Sequence, residues 1–125
     1  MAKVENRKIL VVDDEPIMQR LFSRLLGEAG FAVQVTANLR DAAACIPKPE
    51  SAPALLILDW SLLGPQWQDA VAGLRAHLPD LPILFSSGYG ETVDRTAIHA
   101  LGKSDFLPKP FTPDELLAVV KKLLE

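Results

Sequence analysis

Three short runs of this chain, Ile9 to Val12, Leu55 to Leu58 and Ile83 to Phe85, are apolar at every position. A strand with one wet face alternates polar and apolar residues, so strands apolar on both faces suit a parallel sheet covered by helices on each side. Two further runs, Phe31 to Val35 and the weaker Phe106 to Leu107, bring the expected strands to five. Helical spacing fills the gaps. Between Pro16 and Ala29, Ile17, Leu21 and Leu25 form one stripe and Met18, Phe22 and Leu26 the adjoining one, with Gly30 placed to end the helix. Asn38 can cap a second helix through Cys45, and Trp67, Val71, Leu74 and Leu78 space a third; both end against proline. A thinner stripe of Val93, Ala97 and Leu101 predicts a fourth helix over Glu91 to Leu101, stopped by Gly102. Thr112, Pro113 and Glu115 mark the start of a fifth, with Leu116, Val120 and Leu123 facing inward. Strand and helix alternate five times, and right-handed crossovers then give a three-layer α/β sandwich whose strand order this pattern leaves open.

Length and charge narrow the function. The 125 residues favour one domain, and 49% hydrophobic against 23% charged residues is globular composition. Lys and Arg number 13 and Asp and Glu 16, so no excess of cations draws the chain onto nucleic acid. Cys45 is the only cysteine, which excludes an intrachain disulfide and a multi-thiolate metal site. No apolar run approaches the roughly 20 residues of a membrane helix, and Met1 to Lys8 is polar. The expectation is a soluble cytoplasmic protein without membrane or direct nucleic-acid contact. Pro47 to Pro53 reads as a surface loop.

In an open parallel sheet, ligands bind beyond the carboxyl ends of the strands. Strand one runs into Asp13, Asp14 and Glu15, strand three ends in Asp59, strand four in Ser86, Ser87 and Gly88, and strand five leads to Lys109 and Pro110. These groups converge on one edge. Carboxylates at that density repel unless protonated or joined by a cation, and hard oxygen ligands suit Mg²⁺, with Mn²⁺ as the alternative ion. Asp14 or Glu15 could instead cap the helix beginning at Pro16. Asp59, at the mouth of a buried strand, needs a positive partner, for which Lys109 is the candidate in either a structural ion pair or a site. With a divalent ion, Lys109 and Ser87 in place, the pocket suits a phosphoryl group carried on a carboxylate, by in-line transfer to Asp59.

Four segments, Ile9-Leu-Val-Val-Asp-Asp-Glu-Pro16, Leu56-Ile-Leu-Asp59, Leu81-Pro-Ile-Leu-Phe-Ser-Ser-Gly88 and Phe106-Leu-Pro-Lys-Pro-Phe111, occur in this order at strand ends. Together they resemble a response-regulator receiver domain of two-component signalling, over essentially the whole chain. The resemblance implies a single receiver domain over 1–125, with a core of about 7–124, and a flavodoxin-like sheet of order 2-1-3-4-5 with five helices. It implies that Asp59 is the phosphoacceptor, that Asp13, Asp14, Asp59 and the backbone carbonyl of Ser61 hold Mg²⁺, and that Lys109 follows the family's lysine, with a cis Lys109–Pro110 peptide. Ser87 and Phe106 match the switch positions, and the output face is that of the fourth helix, fifth strand and fifth helix. The implied protein is a phosphorelay switch and not an enzyme. Its phosphoryl donor would be a sensor histidine kinase or a histidine phosphotransfer protein, its target another protein, and a homodimer formed on phosphorylation is compatible with it.

The chain departs from the family pattern after the acceptor, where Trp60-Ser-Leu-Leu-Gly-Pro-Gln-Trp67 replaces the common Met-Pro and glycine spacing. Ser61 and Tyr89 occupy positions that vary among relatives and tune autodephosphorylation. Phe106 carries no hydroxyl, so a switch there works through packing. Three other readings are weaker. A haloacid-dehalogenase phosphohydrolase needs an acid two residues after its nucleophile, where Ser61 stands. An FMN-binding flavodoxin needs a hydroxyl- and glycine-rich loop where Asp13-Asp14-Glu15-Pro16 stands. A pseudo-receiver that binds protein without accepting phosphate would not need Asp13, Asp14, Asp59, Ser87 and Lys109 together. His77 and His99 lack metal-ligand spacing and read as helix-surface residues.

Overall fold

The structure, a computed structural model, describes residues 7–46, 52–88 and 92–125. Most of the Pro47 to Pro53 loop, Tyr89 and the expected helix start at Glu91 lie outside those residues. The strands are β1 (Lys8–Val12), β2 (Ala32–Thr36), β3 (Leu55–Asp59), β4 (Ile83–Ser87) and β5 (Ser104–Pro108). The helices are α1 (Pro16–Glu28), α2 (Leu39–Cys45), α3 (Trp67–His77), α4 (Arg95–Ala100) and α5 (Pro113–Leu124). All strand pairs are parallel, in the order β2-β1-β3-β4-β5. Chain order reverses between β1 and β3, and the crevice there is where an open α/β sheet binds ligands.

The continuous apolar runs divide their side chains between two cores, as strands buried on both faces must. Leu10, Val12, Leu56, Leu58, Ile83 and Phe85 pack with Ala42, Trp67, Val71, Leu74 and Ile98 from α2, α3 and α4. Ile9, Val11, Leu55, Ile57 and Leu84 pack with Phe22, Leu25, Leu26, Leu116 and Val120 from α1 and α5. Pro108 sits on the edge strand, where its missing amide leaves no ladder bond unmade.

Local signals set most boundaries. Asn38 accepts the Asp41 N–H at the head of α2, and Thr112 and Glu115 form a complete capping box at the head of α5. Gly30 (φ 102°) and Gly102 (φ 73°) turn the chain after α1 and α4 in the left-handed region. Two expectations fail. Ile17 lies outside the core at 71% exposed, because the first turn of α1 packs inward through the neighbouring Met18 stripe instead. The fourth helix starts four residues late, at Arg95, since Asp94 holds a non-helical φ and ψ (−87°, 83°) and caps the Ala97 N–H with its side chain. His77 and His99 are exposed on α3 and α4, as read. Among the described residues, no helix is long and apolar enough to cross a membrane.

Candidate functional site

The carboxyl ends of β1, β3, β4 and β5 bring Asp13, Asp59, Ser87 and Lys109 to one edge of the sheet. Asp13 and Asp59 are 1% and 2% exposed, Ser87 is buried and Asp14 is exposed. The Lys109 ammonium lies 3.1 Å from Asp13 Oδ2, 3.7 Å from Asp59 Oδ1 and 3.5 Å from Glu15 Oε1. Burial alone would lower the Lys109 pKa, yet its hydrogen bond to Asp13 and the charges of Asp59, Asp13 and Glu15 hold it above the ordinary value. Lys109 therefore stays a full cation at neutral pH. Its backbone N–H donates to the Ser87 carbonyl at 2.7 Å, which ties β4 to the turn after β5, and the Lys109–Pro110 peptide is cis, as the resemblance implied.

Asp59 has a second set of partners. Ser61 donates its backbone N–H to Asp59 Oδ1 at 3.2 Å and its hydroxyl to Oδ2 at 2.9 Å, because Asp59 caps a short 3₁₀ turn over Trp60–Leu62. The carboxylate is thereby oriented in the crevice. Asp13 Oδ1 accepts the Glu15 N–H at 2.9 Å, which fixes the residue that leads into α1. Glu15 is the residue at the cap position but its side chain makes no cap bond, and it reaches Lys109 instead. Phe106, half-buried on β5, carries the Arg95 guanidinium 4.7 Å from its ring centre. The sequence reading places Ser61 at a position that tunes autodephosphorylation without foreseeing its hydroxyl bond to Asp59, and it assigns no role to Arg95. An Asp-x-Ser spacing at a strand end is the signal for the first, whereas nothing in the sequence pairs Arg95 with Phe106.

Carboxylate oxygens of Asp13, Asp14 and Asp59 all lie within 4.8 Å of one another. Opposite ligands of an octahedral Mg²⁺ stand about 4 Å apart, so this oxygen-only set has the span and chemistry for that ion. Three acids facing one ammonium also leave negative charge for a divalent cation to neutralise. Burial raises the Asp13 pKa above its ordinary 3.8, outweighing the Glu15 N–H and Lys109, while Asp59 adds to the rise. The native state thus takes up a proton more readily than the unfolded chain. In metal-free protein, stability from this group falls as pH rises from about 3.8 through the higher folded value. Asp13→Asn is accordingly expected to raise the metal-free Tm at pH 7. It should also remove most of the Tm gain that MgCl₂ gives the wild type. Scanning calorimetry with and without MgCl₂ checks both, and a lowered metal-free Tm would contradict the reading.

The sequence matches the family of response regulator receiver domains over residues 9–121. It is 36% identical over 122 residues to the transcriptional regulatory protein TcrA of Mycobacterium tuberculosis, a match covering 98% of this chain and 47% of that protein. To the transcriptional regulatory protein CssR of Bacillus subtilis it is 32% identical over 117 residues, covering 94% of this chain and 51% of that one. The chain spans about half the length of these curated relatives. Among solved structures, a response regulator receiver protein from Sinorhizobium medicae is 29% identical with a TM-score of 0.76, covering 98% of this chain and 97% of its own. NtrX from Brucella abortus, crystallised with ADP, is 30% identical with a TM-score of 0.80, over 94% of this chain and 26% of its own. Topology, the acids at the switch point and the sequence likeness agree, and the chain belongs to the family of response regulator receiver domains of two-component signalling.

Proposed function

We propose that this receiver domain, with its core at residues 7–124, accepts a phosphoryl group on Asp59 from a sensor histidine kinase or a phosphotransfer histidine. The observation that carries this is a buried carboxylate oriented by Ser61 with a full ammonium 3.7 Å away, at the switch point of the sheet. A carboxylate oxygen of Asp59 forms the new bond to phosphorus as the bond from phosphorus to the donor imidazole breaks, and the imidazole departs with that electron pair. Lys109 faces the equatorial oxygens and offsets their charge. Asp13, Asp14, Asp59 and the Ser61 carbonyl would hold Mg²⁺, which supplies charge neutralisation for the transferring group. Ile17, exposed beside Asp14 and Glu15, is an apolar contact for the donor protein at the rim of this site.

Occupancy then reaches the surface through Ser87 and Phe106. The phosphoryl oxygens draw the Ser87 hydroxyl, and the space it leaves admits the Phe106 ring, which gains burial by turning inward. The face of α4, β5 and α5 is already linked by polar contacts: Asp105 lies 3.2 Å from His99 Nε2 and 3.7 Å from Lys122 Nζ. A shift of α4 is therefore felt across all three elements, where a target protein would read it.

The test is intact mass after incubation with acetyl phosphate, with MgCl₂ or with a chelator. A gain of one phosphoryl mass only with Mg²⁺ is expected. A folded protein that gains nothing, beside a receiver that does, would overturn the proposal and leave a protein-binding module.

A further inference from the structure

The segment entering α4 is tied down at two points, by Trp60 beside the acceptor and by Phe106 of the proposed switch. The Trp60 indole donates Nε1–H to the Thr92 carbonyl at 3.0 Å. The Arg95 guanidinium rests on the Phe106 ring at 4.7 Å. Trp60 itself is fixed by aromatic packing, with its ring 5.0 Å from Trp67 and 5.9 Å from Phe85. It also follows Asp59 directly in the chain.

The first tie bears on helix length. The apolar spacing of Val93, Ala97 and Leu101 continues upstream of Arg95, and Val93, Ala97 and Leu101 all pack against the same core, so one more turn of α4 would be compatible with burial. In that longer helix the Thr92 carbonyl would point along the axis and accept the Thr96 N–H, four residues on. Here it is turned to Trp60 instead, and Asp94 stays non-helical and caps the shorter helix. Two arrangements of the same residues thus compete for one carbonyl. A single hydrogen bond of this kind shifts such a balance roughly 2- to 10-fold.

We propose that the Trp60 indole is a latch that keeps the first turn of α4 unwound, and that phosphorylation at Asp59 releases it, so that α4 lengthens at its head. The release step rests on the phosphoacceptor reading. Trp60 follows Asp59 directly in the chain, so a phosphoryl group that re-seats the Asp59 carboxylate also shifts the indole that holds the Thr92 carbonyl. Turning Phe106 inward takes away the ring under Arg95. Both ties on the helix start therefore loosen with the same event. Trp60 acts here as a positioning residue that touches no reacting atom.

Trp60→Phe keeps a six-membered ring against Trp67 and Phe85 and removes the donor together with the second ring of the indole. Amide and indole hydrogen exchange, followed by NMR on ¹⁵N-labelled protein, reads the latch directly. In unphosphorylated Trp60→Phe, the Thr96 amide is expected to exchange more slowly than in wild type, by up to about 5-fold, because α4 gains population of the Thr92 to Thr96 bond. Unchanged or faster exchange at Thr96 would overturn the latch. In wild type treated with acetyl phosphate and MgCl₂, the Trp60 indole N–H is expected to lose protection as the Thr96 amide gains it. A phosphoryl mass gain with both signals unchanged would overturn the release and leave the receiver reading intact. An absent mass gain would overturn that reading, while the Thr96 result in Trp60→Phe still decides whether the indole sets the length of α4.

Discussion

Asp59→Asn is expected to abolish phosphoryl uptake from acetyl phosphate in the presence of Mg²⁺, with no mass gain detectable over the time in which wild type is converted. Asparagine has nearly the shape of aspartate: its amide oxygen can still accept the Ser61 N–H, and its NH2, standing where Oδ2 is now, can donate to the Ser61 hydroxyl oxygen. What it lacks is the anionic oxygen that attacks phosphorus, since a carboxamide oxygen is neutral and weakly basic and therefore a poor nucleophile. The fold should survive. Asp13 and Asp59 are buried against the same ammonium, so removing one of two like charges leaves Lys109 paired with the other. A metal-free Tm within about 4 °C of wild type, the equivalent of roughly 1 kcal/mol, would show that lost uptake is not lost folding. Uptake persisting in the variant would move the acceptor to Asp13 or Asp14, the other acids within reach of the pocket.

Arg75→Met is expected to lower stability by about 3 kcal/mol, near 10 °C in Tm. From the last turns of α3, the Arg75 guanidinium donates to three backbone carbonyls. Nε and Nη2 reach Leu81 at 3.1 and 2.9 Å, Nη1 reaches Leu101 at 3.0 Å and Nη2 reaches Lys103 at 3.0 Å. Those carbonyls belong to the entrance of β4, the end of α4 and the turn into β5, so one side chain joins four elements. The turn itself needs holding. Lys103 adopts φ 49°, a left-handed conformation costly for a residue with a Cβ, directly after Gly102 at φ 73°. Burial lowers the Arg75 pKa and Asp80 counters it, which is the signature of a charge kept inside for its hydrogen bonds. Methionine retains the aliphatic stem and deletes the donors. Urea unfolding gives the difference, and a loss under about 1 kcal/mol would show that water replaces Arg75 at these carbonyls.

Much of this molecule was legible from local pattern, and the reason is geometric. Burial on both faces of a strand requires apolar residues at every position, so Leu55 to Leu58 and Ile83 to Phe85 announce a covered parallel sheet before any contact is known. Parallel strands share a carboxyl edge, so the acids after β1 and β3 and the lysine after β5 had to meet near one rim. Caps are read within four residues, as Asn38 and Thr112 show. Strand order, by contrast, came only through family resemblance, because neither apolarity nor spacing states which strand lies beside which.

The tertiary structure alone decided the rest, through pairs far apart in the chain. Lys109 and Asp13 are separated by 96 positions, Trp60 and Thr92 by 32, and Arg75 and Leu101 by 26. No periodicity encodes such pairs. The stripe containing Ile17 reads as core, yet the first turn of α1 meets the sheet through Met18 and leaves Ile17 exposed. The stripe through Val93 reads as helix, yet an indole holds the carbonyl that the first turn would use. Period and composition determine which elements form and which face they bury. Which polar groups meet across them, and where a helix stops short, depends on the positions that packing gives to residues with no local relation.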